Sequence, residues 1–345
     1  MGSVSPLAHR FAPLLIPLAL AACTSQVDAP TPEAEHSASQ TAGTARPLLF
    51  ETPTPTVRSS STPRPTTAPT PTRSVQLQPP VNPEPGGAWQ APSDGMMLHF
   101  IPAGTFRMGA LPDFEIAEPD ELPLHEPRIS AFWMDETEVT RSLYQTCVED
   151  GACAAVSGED SVGGTGSHPV TRVTWELAAT YCSWAGRRLP TEAEWEKGAR
   201  GRDARRYPWG WVGAPESNRQ VRLNFCDSSC NLPFNAVDVD DGWPQTAPVG
   251  SYPAGTSPYG LLDMAGNVWE WTADWYATDT YQSKKLIDPA GPANGQRRVI
   301  RGGSWTEPLF HGAVIGSRTT NRFWSEPDRP RPDLGFRCAL SADSR

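Results

Sequence analysis

Between residues 24 and 92 the chain is dominated by proline, threonine, serine and alanine, in stretches such as Thr52-Pro-Thr-Pro-Thr56 and Thr62-Pro-Arg-Pro-Thr-Thr-Ala-Pro-Thr-Pro-Thr72. Such a segment holds too little apolar surface to offset the entropy of ordering it, and its backbone is biased to polyproline II. It reads as a stalk, able to reach up to about 200 Å when extended at ~3.1 Å per residue. Folding is thereby confined to residues 93–345, roughly 250 residues, enough for one large domain with a full core. Twelve of the thirteen tryptophans lie in that part.

Ahead of the stalk, His9 and Arg10 precede an apolar run from Phe11 to Ala22 that contains two prolines. The run falls short of the ~20 residues a spanning helix needs, so residues 1–22 read as a signal peptide. Its end, Leu20-Ala21-Ala22-Cys23, looks like a bacterial lipobox, with the Cys23 thiol as acceptor of the lipid. Acyl chains bury CH₂ groups at ~0.8 kcal/mol each, so a lipidated Cys23 implies a membrane-anchored, exported protein. The second mature residue is Thr24, not aspartate. The expected location is therefore the outer membrane, or the cell surface or periplasm.

The formal charge is −10, and the stalk is nearly neutral, so the acidity belongs to the domain. An acidic domain repels phosphates, which argues against a nucleic-acid partner, and it suits divalent cations. The basic run Arg200, Arg202, Arg205 and Arg206 is an exception that reads as a solvated loop.

Seven cysteines less Cys23 leave six, an even number in an oxidising setting, so three disulfides are expected. Cys147 and Cys153 flank a short segment, and Cys226 and Cys230 form a Cys-x₃-Cys loop, so both pairs look local. Cys182 and Cys338 are left to join distant parts. No histidine accompanies either local pair at zinc-ligand spacing.

Thr174 to Ala185 carries apolar residues at helical spacing, with Thr174 as N-cap and Gly186 as stop. Thr191-Glu-Ala-Glu194 is a capping box that opens a second helix after Pro190. Short runs broken by Gly, Pro and Asn fill the rest, without a long alternating strand series. The pattern is that of a loop-rich α+β domain.

The same stretches resemble the formylglycine-generating, or sulfatase-modifying, enzyme family. The blocks are Phe100-Ile-Pro-Ala-Gly-Thr-Phe-Arg-Met-Gly109, Asp135-Glu-Thr-Glu-Val-Thr140, His168-Pro-Val170, Arg188-Leu-Pro-Thr-Glu-Ala-Glu-Trp-Glu196 and Tyr207-Pro-Trp-Gly210. They continue as Gly260-Leu-Leu-Asp-Met-Ala-Gly-Asn-Val-Trp-Glu-Trp271, Arg301-Gly-Gly-Ser-Trp305 and Gly335-Phe-Arg-Cys338, in family order and across nearly the whole domain. The resemblance implies an irregular α+β architecture with little regular secondary structure, distantly similar to C-type lectins. It also implies a disulfide between Cys182 and Cys338.

Calcium takes six to eight oxygens, many of them backbone carbonyls, which a loop-rich domain can present. The resemblance implies two such sites. One would use Asn224, the carbonyl of Phe225, Asp241 and the carbonyl of Trp243; the other Asp263, the carbonyls of Gly266 and Val268, and Glu270, with Asp263 where some members have Asn.

Family enzymes are similar in holding Cu(I) between two thiolates spaced Cys-x₄-Cys after the Arg-Gly-Gly-Ser block, soft ligands for a soft metal. Those positions here are Glu307 and Gly312, so copper is not expected. Ser304 and Trp269 match cleft positions, and Asp333 stands where the enzymes usually have Asn. Glu307 reads as a loop acid that could meet a cation or basic ligand in the cleft.

His125, His168 and His311 have no Ser or Cys partner in a recognisable motif, and there is no phosphate loop or dinucleotide fingerprint. The expectation is a non-catalytic binding module offering the cleft to a peptide, glycan or envelope protein. An oxidoreductase of the same family with chemistry that does not use cysteine is the alternative, and a copper-dependent formylglycine generator is the third reading.

Overall fold

A computed structural model describes residues 78–342 apart from 112–115, 157–164, 212–220, 234, 237, 284–285 and 311–312. The signal peptide, Cys23, most of the stalk, His311 and Gly312 lie outside the described residues.

Helices form where the caps predict them. The Thr174 hydroxyl accepts from Leu177 N–H to open Trp175–Trp184, and Gly186 follows the helix at φ +73°. Thr191 and Glu194 close a reciprocal capping box at the start of Glu192–Arg200. An earlier helix, Arg141–Glu149, is opened by the Thr140 hydroxyl accepting from Leu143 N–H. In chain order these are α1 (Arg141–Glu149), α2 (Trp175–Trp184) and α3 (Glu192–Arg200).

The strands are short. They are β1 Ala88–Gln90, β2 Met97–Ile101, β3 Gly104–Thr105, β4 Arg128–Ile129, β5 Phe132–Asp135, β6 Trp269–Trp275 and β7 Arg298–Arg301. β8 Leu309–Phe310, β9 Ala313–Val314, β10 Phe323–Ser325, β11 Leu334–Gly335 and β12 Ala339–Ser341 complete the set. One four-stranded sheet runs β1-β2-β5-β12, all antiparallel. A second runs β10-β7-β6-β11, antiparallel except for the parallel pair β6 and β11. Two hairpin-sized pairs, β3-β4 and β8-β9, stand apart. Folded structure begins ahead of the expected boundary at residue 93: β1 pairs Trp89 with Leu98, and Trp89 packs edge-on against Trp133.

Side chains alternate across a strand, and β5 uses both faces. Trp133 joins one core cluster with Trp271, Tyr181 and Phe336, while Phe132 and Met134 join a second with Trp195, Leu261 and Met264. α3 packs so tightly on the second cluster that a Cβ at Gly198 would sit 2.9 Å from Leu261 Cδ1. Cys182 on α2 is bonded to Cys338 just before β12, tying α2 to the first sheet, and Cys147–Cys153 and Cys226–Cys230 close local loops.

Arginines are buried in number, each against a carboxylate, as a charge removed from water requires. Arg318 takes both oxygens of Glu121 at 2.6 Å, Arg322 those of Glu192 at 2.7 and 2.9 Å, and Arg337 those of Glu270 at 2.7 Å. Arg200 departs from the solvated loop expected of it. It is 1% exposed and donates to Glu196, Gly109 O and Ala204 O, because α3 turns it inward at the i+4 position from Glu196. Arg202 at the end of the helix is exposed as expected.

Candidate functional site

The turn after β7 carries Ser304, and the loop to β8 carries Glu307. Two bonds fix the Glu307 backbone: its N–H donates to Ser304 O at 3.0 Å, and its carbonyl accepts from Cys226 N–H at 2.9 Å. The Cys226–Cys230 loop thus anchors the segment that carries Glu307. β6 supplies Trp269, whose N–H donates to Asp333 O at 2.9 Å as β11 begins beside it. Sheet pairing therefore brings Ser304, Trp269, Glu307 and Asp333 to one place.

Their side chains are bonded to one another. Ser304 Oγ lies 2.8 Å from Thr306 Oγ1 and donates to Asp333 Oδ2 at 3.4 Å, while Arg331 donates to both Asp333 oxygens at 3.0 and 2.6 Å. The Trp269 indole lies beside the Glu307 carboxyl and favours its charged form. Phe323, 44% exposed, stacks on Trp269 with ring centroids 5.5 Å apart and forms the open rim. Glu307 is not the freely solvated acid a loop position suggests. Its carboxyl presses on Gly316, where a Cβ would come within 2.5 Å of it, and burial with the nearby Asp333 charge pushes its pKa up to about 7.

The resulting donor set is hydroxyls, carboxylates, an indole N–H and a guanidinium. It can hydrogen-bond amides and hydroxyls, stack an apolar or sugar face on Phe323, and hold or release a proton at Glu307. It offers no thiolate: all six cysteines of the domain are paired in disulfides.

The two cation sets behave differently. At the first, Asn224 is fully buried with Oδ1 lacking any hydrogen bond. Asp241 accepts N–H groups from Phe225 and Trp243 at 2.9 Å, and its pKa is raised to about 7 by burial and by the charge of Asp227. Both aspartates are buried, and neither enters an ion pair among the described residues. An orphaned amide oxygen beside two uncompensated carboxylates suits a hard cation.

At the second set Glu270 is committed to Arg337 and to Trp195 Nε1, the latter at 2.8 Å. Asp263 accepts Gly250 N–H at 2.6 Å and meets Glu138, a residue the sequence reading missed, whose Oε2 lacks a partner. Burial and the facing Asp263 raise Glu138 well above the usual carboxylate range. This set fits a cation through Asp263 and Glu138 more than through Glu270. Among the described residues no three His, Cys, Asp or Glu side chains converge as a metal-ligand set, so carbonyl and amide oxygens would supply the balance at either place.

Asn267 links these regions, although nothing but its place in the Gly-Asn-Val-Trp block could have flagged it. At φ +60° it donates to Glu138 at 3.0 Å, accepts from Asn224 at 3.2 Å, and accepts Trp305 N–H on its carbonyl at 2.9 Å. The preceding Gly266 lies where a Cβ would sit 2.1 Å from Asn224 O, so only glycine lets the two loops meet.

The chain is 34% identical over 290 residues to the formylglycine-generating enzyme of Streptomyces coelicolor, covering 70% of this chain and 88% of that protein. It is 39% identical over 175 residues to the mouse inactive C-alpha-formylglycine-generating enzyme 2, covering 50% of this chain and 49% of that one. Among solved structures, PvdO from Pseudomonas aeruginosa superposes with a TM-score of 0.63 at 26% identity, covering 75% of this chain and 99% of PvdO. Residues 85–342 match the sulfatase-modifying factor enzyme 1-like domain model, and the chain belongs to that formylglycine-generating enzyme family, with its α+β fold.

Proposed function

We propose that this chain is an exported, lipid-anchored binding module in which the family cleft has lost its copper chemistry and is offered, on a stalk, to an extracytoplasmic peptide, glycan or envelope protein. The observation that carries the reading is Glu307. A buried carboxyl packed on Gly316 occupies a position where the enzymes need a thiolate, and the domain has no unpaired cysteine to replace it. Hard oxygen donors bind Cu(I) poorly. Three disulfides support an oxidising, exported setting, and no helix of the described residues is long and apolar enough to cross a membrane. The anchor is Cys23.

Calcium, in this reading, stabilises the scaffold. Asn224, Asp241 and Asp227 would hold one ion, and Asp263 with Glu138 a second, and each ion would add positive charge beside buried carboxylates that have no ion-pair partner of their own among the described residues.

A second reading rests on Glu307 and Asp333 as neighbouring acids. With one carboxyl raised to about 7, the cleft has a group suited to proton transfer near neutral pH, as an oxidoreductase of the family working without cysteine would need.

A competition titration of the full-length protein against a chromogenic Cu(I) chelator tests the leading reading. Chelator colour should be unaffected by equimolar protein. Stoichiometric withdrawal of Cu(I) from the chelator, lost on blocking thiols, would overturn it.

A further inference from the structure

Away from the cleft, a cavity of about 340 Å³ opens beside the start of α3, walled by Met108, Ala193, Tyr281 and the Pro289–Pro292 loop. That volume is within the range of small-ligand sites. Its floor is Asp274 on β6, 3% exposed. One carboxyl oxygen, Oδ2, accepts Glu192 N–H at 2.8 Å, while Oδ1, beneath Gly291, has no hydrogen bond among the described residues.

The nearby cations are committed elsewhere. Arg322 is bidentate on Glu192, and Arg298 donates to Ala273 O with its guanidinium between the rings of Trp175 and Trp275, at 3.7 and 3.5 Å. Asp274 is therefore a buried acid without an ion-pair partner among the described residues. Burial and the charge of Glu192 raise its pKa to about 8, the behaviour of a carboxyl whose counter-cation is missing. At the mouth, the exposed Asp279 adds a second acid.

We infer that this cavity is a binding site for a primary alkylammonium group, whose N–H donors meet Asp274 Oδ1 while the attached methylenes lie along Met108, Ala193 and Pro292. A compact ammonium supplies the missing charge and three donors. The apolar walls favour a chain of several carbons over an inorganic cation. The inference stands apart from the cleft and from calcium. Its ligand is either a free small amine or a lysine side chain, which share this chemistry.

Calorimetric titration of the full-length protein with n-butylammonium chloride, with sodium butyrate as control, tests it. Saturable 1:1 binding of the amine and none of butyrate is expected. Asp274→Asn should abolish binding. Because Asp274 also holds the first turn of α3, Asp279→Lys at the exposed mouth is the companion variant, expected to weaken binding at least tenfold with an unchanged melting temperature. Tighter binding of a capped Gly-Lys-Gly peptide than of butylammonium would assign the site to a lysine side chain; equal or weaker binding would assign it to a free amine. No saturable heat with wild type, or butylammonium binding unchanged in both variants, would overturn the inference.

Discussion

The Glu307 carboxyl rests on the α-carbon of Gly316, so close that a Cβ there would lie 2.5 Å from the carboxyl carbon. A glycine on one loop thus makes room for the acid on the other, and the pair shapes one wall of the cleft.

Gly316→Ala should overpack this contact and lower stability by about 1–3 kcal/mol. Glu307→Ala alone should cost less. The double variant should recover most of the Gly316→Ala loss, since the clash partner is gone. Denaturant midpoints of the four proteins measure the coupling, and strict additivity would remove Glu307 from this contact.

The Glu307 carboxyl also predicts a pH signature. Its folded pKa, about 7, stands above its ordinary value of 4.5, so between those values the folded state binds more protons than the unfolded chain. The stabilising contribution is complete below about pH 4.5 and is lost as pH rises through 7. Glu307→Gln should therefore gain stability relative to wild type at pH 7.5 compared with pH 5. A difference that does not change with pH would contradict the burial of this group.

Calcium and the first cation set make a paired prediction. Adding excess calcium to chelator-treated protein should raise the melting temperature, by the equivalent of about 2.7 kcal/mol at a hundredfold excess over the dissociation constant. Asp241→Asn should remove most of that response, whereas Asp240→Asn, three residues from Trp243 but exposed, should leave it intact.

The long and short disulfides should differ in worth. Loop-closure entropy assigns about 5 kcal/mol to Cys182–Cys338, which closes 156 residues, and about 2 kcal/mol to Cys226–Cys230, which closes 4. Paired serine substitutions compared by chemical denaturation check the order, and a larger loss from the Cys226–Cys230 pair would reverse it.

Features written in local chemistry were legible in the sequence. Thr174 and Thr191 announced α2 and α3 because a cap is a side-chain property of one residue. The sheets were not legible: β3, β4, β8, β9 and β11 have two residues each, too few to show a period of two. Trp89 falls inside the proline-rich stretch 24–92, yet its partners are Leu98 and Trp133, decided by pairing across the chain. Arg200 read as solvated because its acid, Glu196, and its carbonyls meet it only once α3 is packed. Glu138 and Asp274 carry no motif signal for ligand binding; Glu138 becomes conspicuous through a buried carboxyl oxygen without a partner, and Asp274 as a buried acid with no ion pair among the described residues.

With Glu307 and no thiolate in the cleft, the protein is expected not to oxidise thiols with copper. Mass spectrometry of a cysteine-containing sulfatase-motif peptide incubated with full-length protein, copper, reductant and oxygen reads this out. Unmodified peptide should be recovered at every copper loading. Turnover of the cysteine to formylglycine, scaling with protein and abolished by Glu307→Ala or by thiol blocking, would contradict it.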